Sequence, residues 1–578
     1  MLGRFNPSTT LLRAATRSTH LHHAPSAIGT QPMKPGLDAT EAIFGYTSGR
    51  FLMNEAEELS QRYQRFSIDG LKAAAVSVVS GGRYCSSFTK LGEGEYNKAF
   101  LIKIATWFGS KEVVAKIPHP RAGPSHILTA SEVATLEFCR DVLKLPVPEV
   151  LGWSSRADST AVRAEYILME RAEGVPLAER WDELKLPGQL QFGEELLKVQ
   201  TRMLGTKFGA IGSLYYRDDI PVSLQYRGDL ISSESEEVLS VSNADLRRWC
   251  IGPTADRDFY CEGKDLLDIN RGPWTGPLDY IESIIDRQIK WFQESPPPPR
   301  PINHPFRRLD SQEDPLAHIA LLKRFRTMLR VLIPPDPSLT VPVLVHSDLH
   351  AYNIFVAASG TPTITCLLDW QDAALKPLFM QAGLPKVLNY AGFSLIRDVP
   401  SLPPKSVTDD MPEEEWDATS AEFMSKFNHF EYQCKLRDIA PDYYRALSLP
   451  GQRAVVDTIS GAANTYSTEI FPDIWRLRDR MKQLCEQWDL LGISQPCPVN
   501  FSTEELEEHE SERLDYQLAA KQFKAFQELL GMRSDGWVDA KHYAESIAAS
   551  KKLREYYENE MKGLVTPEEL EKYWPLAS

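Results

Sequence analysis

The sequence predicts an α+β chain in which a strand-rich segment precedes a mainly helical remainder. Between Ser86 and about Pro176, short β-prone runs such as "SSFTKLGEGEYNKAFLIKI" and "KEVVAKIPHP" are broken by glycine and proline. Beyond Pro176 the pattern is mainly helical, beginning with "WDELKLPGQLQFGEELLKVQTRML". The chain has 578 residues, 43% hydrophobic and 25% charged, which is ordinary globular composition and enough chain for several cores without disulfides.

Residues 1–37 carry Arg4, Arg13, Arg17 and Lys34 and no acid, alongside many Ser, Thr and Ala residues. That composition predicts a mitochondrial transit peptide, engaged by the import machinery; "TLL" is too short for a secretory core. Residues 38–84 form a helical lead-in, with "EAEELSQRYQRF" helix-prone and "LKAAAVSVVSGG" a helix running into a turn. Residues 85–172 hold the predicted strands, with one helix over "LTASEVATLEFCRDVL". Residues 173–400 are mainly helical around an insertion at 208–310, which contains the rigid extended connector SPPPPRP. Residues 401–578 are acidic and helical, with 33 acidic and 20 basic side chains, a net of −13.

Several functions are excluded. A formal charge of −15 argues against general nucleic-acid binding. No uncharged apolar run approaches 18 residues, so no transmembrane segment is predicted. The eight cysteines contain no CxxC pair, so they read as reduced thiols rather than a zinc or redox site.

The chemistry lies between Val345 and Asp369. An apolar strand, VPVLV, runs into His346-Ser347-Asp348; Asn353 follows five residues after Asp348; a second apolar strand, ITCLL, leads to Asp369. Two carboxylates and an amide oxygen at strand ends are hard ligands, suited to Mg²⁺ carrying a nucleotide polyphosphate. Taken singly, Asp348 and Asn353 read equally well as turn residues and Asp369 as a helix cap. Their order and spacing favour the shared site.

Upstream, Lys116 alternates with Val113, Ala115 and Ile117 and so lies on the opposite face of its strand, beside Val114. Glu132 follows Lys116 by 16 residues and is a candidate partner, with Glu137 in reserve. Thr129-Ala-Ser-Glu132 also reads as a capping box. In "KLGEGEYNKAF", Gly92 and Gly94 would let backbone amides approach phosphates; a plain hairpin turn is the equal alternative.

"VHSDLHAYNIFV…LLDWQDA" resembles the catalytic and metal segments of the aminoglycoside phosphotransferase family, the small-molecule branch of the protein-kinase-like fold. The resemblance spans about residues 85–395. It implies a two-lobed molecule: a small antiparallel-sheet N-lobe that binds nucleotide (85–172) and a mainly helical catalytic C-lobe (173–400), of which the acidic helices of 401–578 read as an extension. It also implies Asp348 as catalytic base, Asn353 and Asp369 as Mg²⁺ ligands, Lys116 on the ATP phosphates paired with Glu132, and a hinge at which main-chain groups of Met169, Glu170 and Arg171 meet adenine. The final motif is Asp369-Trp370-Gln371 rather than Asp-Phe-Gly, so a DFG-type switch is not implied. More narrowly, "GAIGSLYY", "IGPTADRDFY", "RGPWTGPLDYI" and "SDGWV" resemble the fungal altered inheritance of mitochondria protein 9 family, which implies mitochondrial placement and names no substrate.

The expected function is therefore Mg²⁺- and ATP-dependent phosphoryl transfer to a hydroxyl of an unidentified small molecule. A catalytically silent nucleotide-binding scaffold is the main alternative, and a helical interaction protein with accidental motifs the other. Retention of Lys116, Asp348, Asn353 and Asp369 together leans toward the enzyme. Acidic walls drawn from 208–280 and the region after 400 would suit a cationic acceptor, although a solvated helix face explains most of those acids.

Overall fold

The computed structural model describes residues 39–233, 242–296, 314–390, 395–404, 411–463, 473–560, 566–574 and 576. The predicted transit peptide and most of the proline connector lie outside these residues.

The N-lobe opens with helix α1 (Ile68–Val78), capped by Ser67, whose hydroxyl accepts from the Gly70 amide. Strands β1 (Tyr84–Glu93), β2 (Asn97–Thr106) and β3 (Gly109–Pro118) follow, then helix α2 (Ile127–Asp141) and strands β4 (Val150–Ser154) and β5 (Tyr166–Glu170). They form one five-stranded antiparallel sheet in the order β1-β2-β3-β5-β4. Period-two alternation decides its faces. Phe100, Ile102 and Ile104 of β2 and Val113, Ala115 and Ile117 of β3 pack with Leu71 and Ala75 of α1. Lys116 is left on the face toward α2.

The C-lobe is mainly helical. Helices α3 (Leu186–Leu204), α4 (Pro277–Glu294), α5 (Pro315–Arg326), α6 (Glu413–Ile439), α7 (Gln452–Ala463) and α8 (Asp473–Glu486) contribute to one large core. Strands β6 (Ile354–Val356) and β7 (Ile364–Leu367) make an antiparallel hairpin on it, and Val175–Pro176 pairs with β6. The loop 346–353 enters this hairpin and Asp369 leaves it. Part of the insertion turns toward the other lobe. Strands Ser213–Tyr216 and Trp249–Gly252 pair with each other, and Trp249 donates to the Ala134 carbonyl of α2 (3.0 Å).

The acidic extension differs from the expected appendage of the C-lobe. Residues up to about 501 join the C-lobe core. Helices α9 (Thr503–Leu530) and α10 (Tyr543–Glu560) instead build a second core with Leu52 of the lead-in, through Phe523, Phe526, Leu530, Val538, Leu553 and Tyr557. Strand Trp537–Asp539 completes this return by pairing antiparallel with Gly49–Phe51. The physical reason lies in α9. A capping box starts it, with Ser502 and Glu505 bonding each other's backbone; its first half packs on α8, where His509 stacks on Trp475 (ring centroids 4.6 Å apart), and its second half carries Phe523, Phe526 and Leu530 on to the lead-in. No helix among the described residues is long and apolar enough to cross a membrane.

Candidate active site

The site is assembled from both lobes. Lys116 Nζ donates to Glu132 Oε1 (2.6 Å) and to Asp369 Oδ1 (2.8 Å), so one ammonium joins β3, α2 and the second residue after β7. The capping alternative for Glu132 does not describe this helix, because α2 begins at Ile127 and places Glu132 in its interior. Glu137, the reserve partner, bonds Arg248 instead (2.8 Å). Burial works against the Lys116 charge, but the carboxylates of Asp369 and Glu132 outweigh it and hold the ammonium above the usual lysine range. Burial pushes the Glu132 carboxyl up, only partly offset by Lys116. Asp369 is held below the usual carboxylate range: burial alone would raise it, and Lys116 reverses the direction.

Asp369 and Asp372 both take a left-handed backbone, with φ of +63° and +61°. Such a conformation is uncommon outside glycine and is found at sites where a side chain must be aimed. Between them Trp370 is fully buried against His346, with ring centroids 4.7 Å apart. His346 Nδ1 accepts from the Asp348 amide (3.1 Å), which leaves the proton on Nε2 to be donated to the Leu368 carbonyl (2.9 Å). Burial lowers the His346 pKa, consistent with a neutral ring. This histidine therefore ties the loop of Asp348 to the residue before Asp369.

Asn353 completes the loop. Its Nδ2 donates to the Asp348 carbonyl (3.0 Å), and its own carbonyl accepts from the Leu368 amide (2.9 Å). With the amide nitrogen engaged, the side-chain oxygen is the end left to accept a ligand's charge. Asp348 points out of this network and is half exposed. Lys386 Nζ donates to its Oδ1 (2.7 Å), and His350 Nε2 stands 3.4 Å from its Oδ2.

Gly92 and Gly94 lie at the end of β1 and in the turn before β2. Neither has a positive φ, and a Cβ built on either meets nothing within 4 Å. The chain's own conformation does not require glycine there. The open face leaves room for a ligand beside Gly92 and Gly94, while the Gly94 amide itself donates to the Asn97 carbonyl (2.9 Å). Met169 lies within β5 between two neighbouring strands, its side chain packed with Val133 and Ile167. Arg171 directs its guanidinium to Glu112 (2.6 Å), away from the Lys116 cluster.

Other residues at the site carried no assigned role in the sequence reading. Gln371, the third residue of the DWQ motif, accepts from Asn97 Nδ2 (2.6 Å) and donates to the Ala122 carbonyl (3.3 Å); its main-chain oxygen accepts from the Ser347 hydroxyl (2.9 Å). Its position beside Asp369 was the signal that could have marked it. Arg257 of the insertion ion-pairs with Asp372 (3.1 Å) and stacks over Tyr96 in the glycine turn (3.6 Å to the ring centre). Lys386 had no local signal at all.

For a metal, Asn353 and Asp369 supply hard oxygen donors, and Asp369 is open enough to share an ion with a ligand. Among the described residues no group of three or more His, Cys, Asp or Glu side chains could hold a metal unaided. That donor set fits Mg²⁺ brought by a polyphosphate better than a dedicated metal cage. A separate cavity of about 550 Å³, lined by Arg324, Val499, Phe501 and Glu505 among others, shares no lining residue with the site.

A lysine held between two acids, a half-exposed aspartate beyond it and a glycine turn above define a kinase-like arrangement. The sequence agrees. Residues 87–380, just over half of the chain, match the model of the phosphotransferase enzyme family, and the chain belongs to that family. A subtelomeric hrmA-associated cluster protein of Aspergillus fumigatus is 29% identical over 511 residues, covering 82% of this chain and 93% of the relative. The mitochondrial altered inheritance of mitochondria protein 9 of Yarrowia lipolytica is 23% identical over 537 residues, covering 86% and 84%. Among solved structures, the streptomycin–ATP–APH(2")-IIa ternary complex overlaps 73% of this chain and 97% of its own at 11% identity. Its TM-score is 0.33.

Proposed function

We propose that this chain is an ATP-dependent phosphotransferase that moves the γ-phosphate to a hydroxyl of a small molecule in the mitochondrion. The observation that carries this reading is the division of charge across the catalytic hairpin. Lys116 pairs with Asp369, while Asp348, half exposed on its loop, pairs with Lys386 instead, and Asn353 lies between the two aspartates in sequence. In this reading the donor end lies at Lys116 and Asp369 and the acceptor end at Asp348.

Lys116 holds the α- and β-phosphates, and the open glycine turn at Gly92–Gly94 covers them. Asn353 and Asp369 would hold Mg²⁺, which when bound neutralises charge on the polyphosphate oxygens. Asp348 orients the acceptor hydroxyl and takes its proton. The acceptor oxygen forms a bond to Pγ as the bond from Pγ to the ADP oxygen breaks. Lys386 and His350 place cationic or proton-bearing groups at the acceptor end, and neither is an acidic wall of the kind that would welcome a cation. Mitochondrial placement is supported by the acid-free, arginine-containing residues 1–37 and by the relatives that carry the word mitochondrial in their names.

A silent scaffold is the second reading, favoured by the ion pair that already engages Asp348. Titration calorimetry of the intact protein with MgATP, followed by a screen of a metabolite pool for ADP release, separates the two. Binding with turnover supports the transferase; binding without turnover of any hydroxyl compound supports the scaffold. No binding at millimolar MgATP removes both.

A further inference from the structure

Glu93 lies between the two glycines of the nucleotide turn, yet its side chain is fully buried and faces away from the cleft. The lead-in encloses it. Its Oε1 accepts from the amide and hydroxyl of Thr47 (hydroxyl 2.7 Å) and from the amide and hydroxyl of Ser48 (2.6 and 3.2 Å). Its Oε2 pairs with Lys90, and Lys90 Nζ also donates to the Ala42 carbonyl (3.2 Å), the Gly45 carbonyl (3.1 Å) and the Thr47 hydroxyl (3.2 Å). A buried carboxylate is stable only when so many donors are aimed at it, and charge-assisted bonds of this kind hold a backbone in one place.

The lead-in is itself held from the far end of the chain. Gly49–Phe51 pairs with Trp537–Asp539, and Trp537 Nε1 donates to the Tyr46 hydroxyl (2.9 Å). Gly49 lies under the Trp537 ring, where an added Cβ would come within 2.0 Å of Nε1. Glu55, ion-paired with Arg50, accepts from the Tyr543 hydroxyl of α10 (3.3 Å). A continuous set of bonds therefore runs from the C-terminal helices through residues 46–55 to Glu93 and the glycine turn.

We propose that Glu93 is the positioning residue of the nucleotide turn, and that the lead-in and the C-terminal helices form part of the nucleotide site by clasping it. The proposal rests on the reading of residues 91–97 as that turn. With open space beside Gly92 and Gly94, whose turn is closed by the Gly94 amide donating to the Asn97 carbonyl (2.9 Å), the clasp fixes the turn's main chain before the phosphates arrive and so lowers the cost of binding them. Glu93 touches no nucleotide in this account.

The test uses the full-length protein with Thr47→Val, Thr47→Ser, Glu93→Gln and the Thr47→Val/Glu93→Gln pair. Amide hydrogen exchange over Leu91–Asn97 and MgATP affinity by calorimetry are both read. Thr47→Val and Glu93→Gln should each speed exchange in the turn and weaken MgATP by roughly tenfold, the loss of about one charge-assisted bond. Exchange in α3 should stay unchanged. The paired variant should be no worse than Glu93→Gln alone, and Thr47→Ser, which keeps the hydroxyl, should match wild type. Unchanged exchange and affinity in Glu93→Gln, with MgATP still binding the wild type, overturns the clasp alone. A wild-type chain that binds no MgATP overturns the nucleotide reading and this proposal with it.

Discussion

Asn97 donates a hydrogen bond of 2.6 Å to Gln371, joining the first residue of β2 to the segment that carries Asp369. The same Gln371 amide reaches the Ala122 carbonyl, and its main-chain oxygen receives the Ser347 hydroxyl. The Gln371 side chain thus joins the glycine-turn strand to the segment that precedes α2, and the main chain of the same residue holds the loop of Asp348. Replacing it by alanine leaves the Asn97 amide without its acceptor in a buried setting. Gln371→Ala should lower the unfolding free energy by about 1–3 kcal/mol, the cost of unsatisfied buried polar groups, as read from urea denaturation.

The Lys116 ion pairs can be tested for stability and binding separately. Lys116→Met leaves Glu132 buried without its cation and should destabilise by about 3–5 kcal/mol, the usual cost of breaking a buried pair. Adding Glu132→Leu should restore most of that stability, because the stranded charge is gone. MgATP affinity should stay low in both variants, since neither supplies a cation to the phosphates. Recovery of affinity together with stability would place Lys116 in a purely structural role.

Asp348→Asn keeps size and polarity but removes the base. Once an acceptor is known, transfer should fall by about 10²-fold or more, the size of a general-base contribution, while MgATP affinity stays near wild type. Loss of nucleotide binding in parallel would instead mark Asp348 as a structural turn residue.

Lys98 and His119 form a buried polar pair under the sheet, 3.1 Å apart, with Lys98 Nζ also donating to the Arg62 carbonyl. Burial pushes the Lys98 ammonium down to about 7, partly opposed by Glu93 and reinforced by Lys90 and Arg62. Burial likewise takes His119 down to about 3, with Lys98 reinforcing it. Between the folded value of about 7 and the ordinary lysine value the unfolded chain binds the extra proton, so stability rises with pH across that window. Lys98→Met should flatten the rise in urea midpoint between pH 7 and 9. An identical slope in wild type and variant would show that Lys98 does not titrate there.

Deleting residues 2–37 should leave the protein in the cytosol, as read by fractionation of cells expressing tagged chains. Undiminished mitochondrial enrichment of the deletion would show that the address lies elsewhere.

What the sequence determined by itself was local. The strand face of Lys116 follows from alternation with Val113, Ala115 and Ile117 over a few residues. The order Asp348, Asn353, Asp369 is carried by one hairpin, so its spacing is visible in the text, and α2 and α3 announce themselves through their apolar spacing. What only the tertiary structure decided joins residues that no local pattern relates. Asn97 and Gln371 lie 274 positions apart, and Lys386 reaches Asp348 from 38 positions away. The acidic tail shows the same limit. Its composition predicted helices, but not that one of them, α9, would pack on α8 through His509 and then run on to the core beside Gly49–Phe51. A helix's period declares that it has a face to bury, and only packing decides against what.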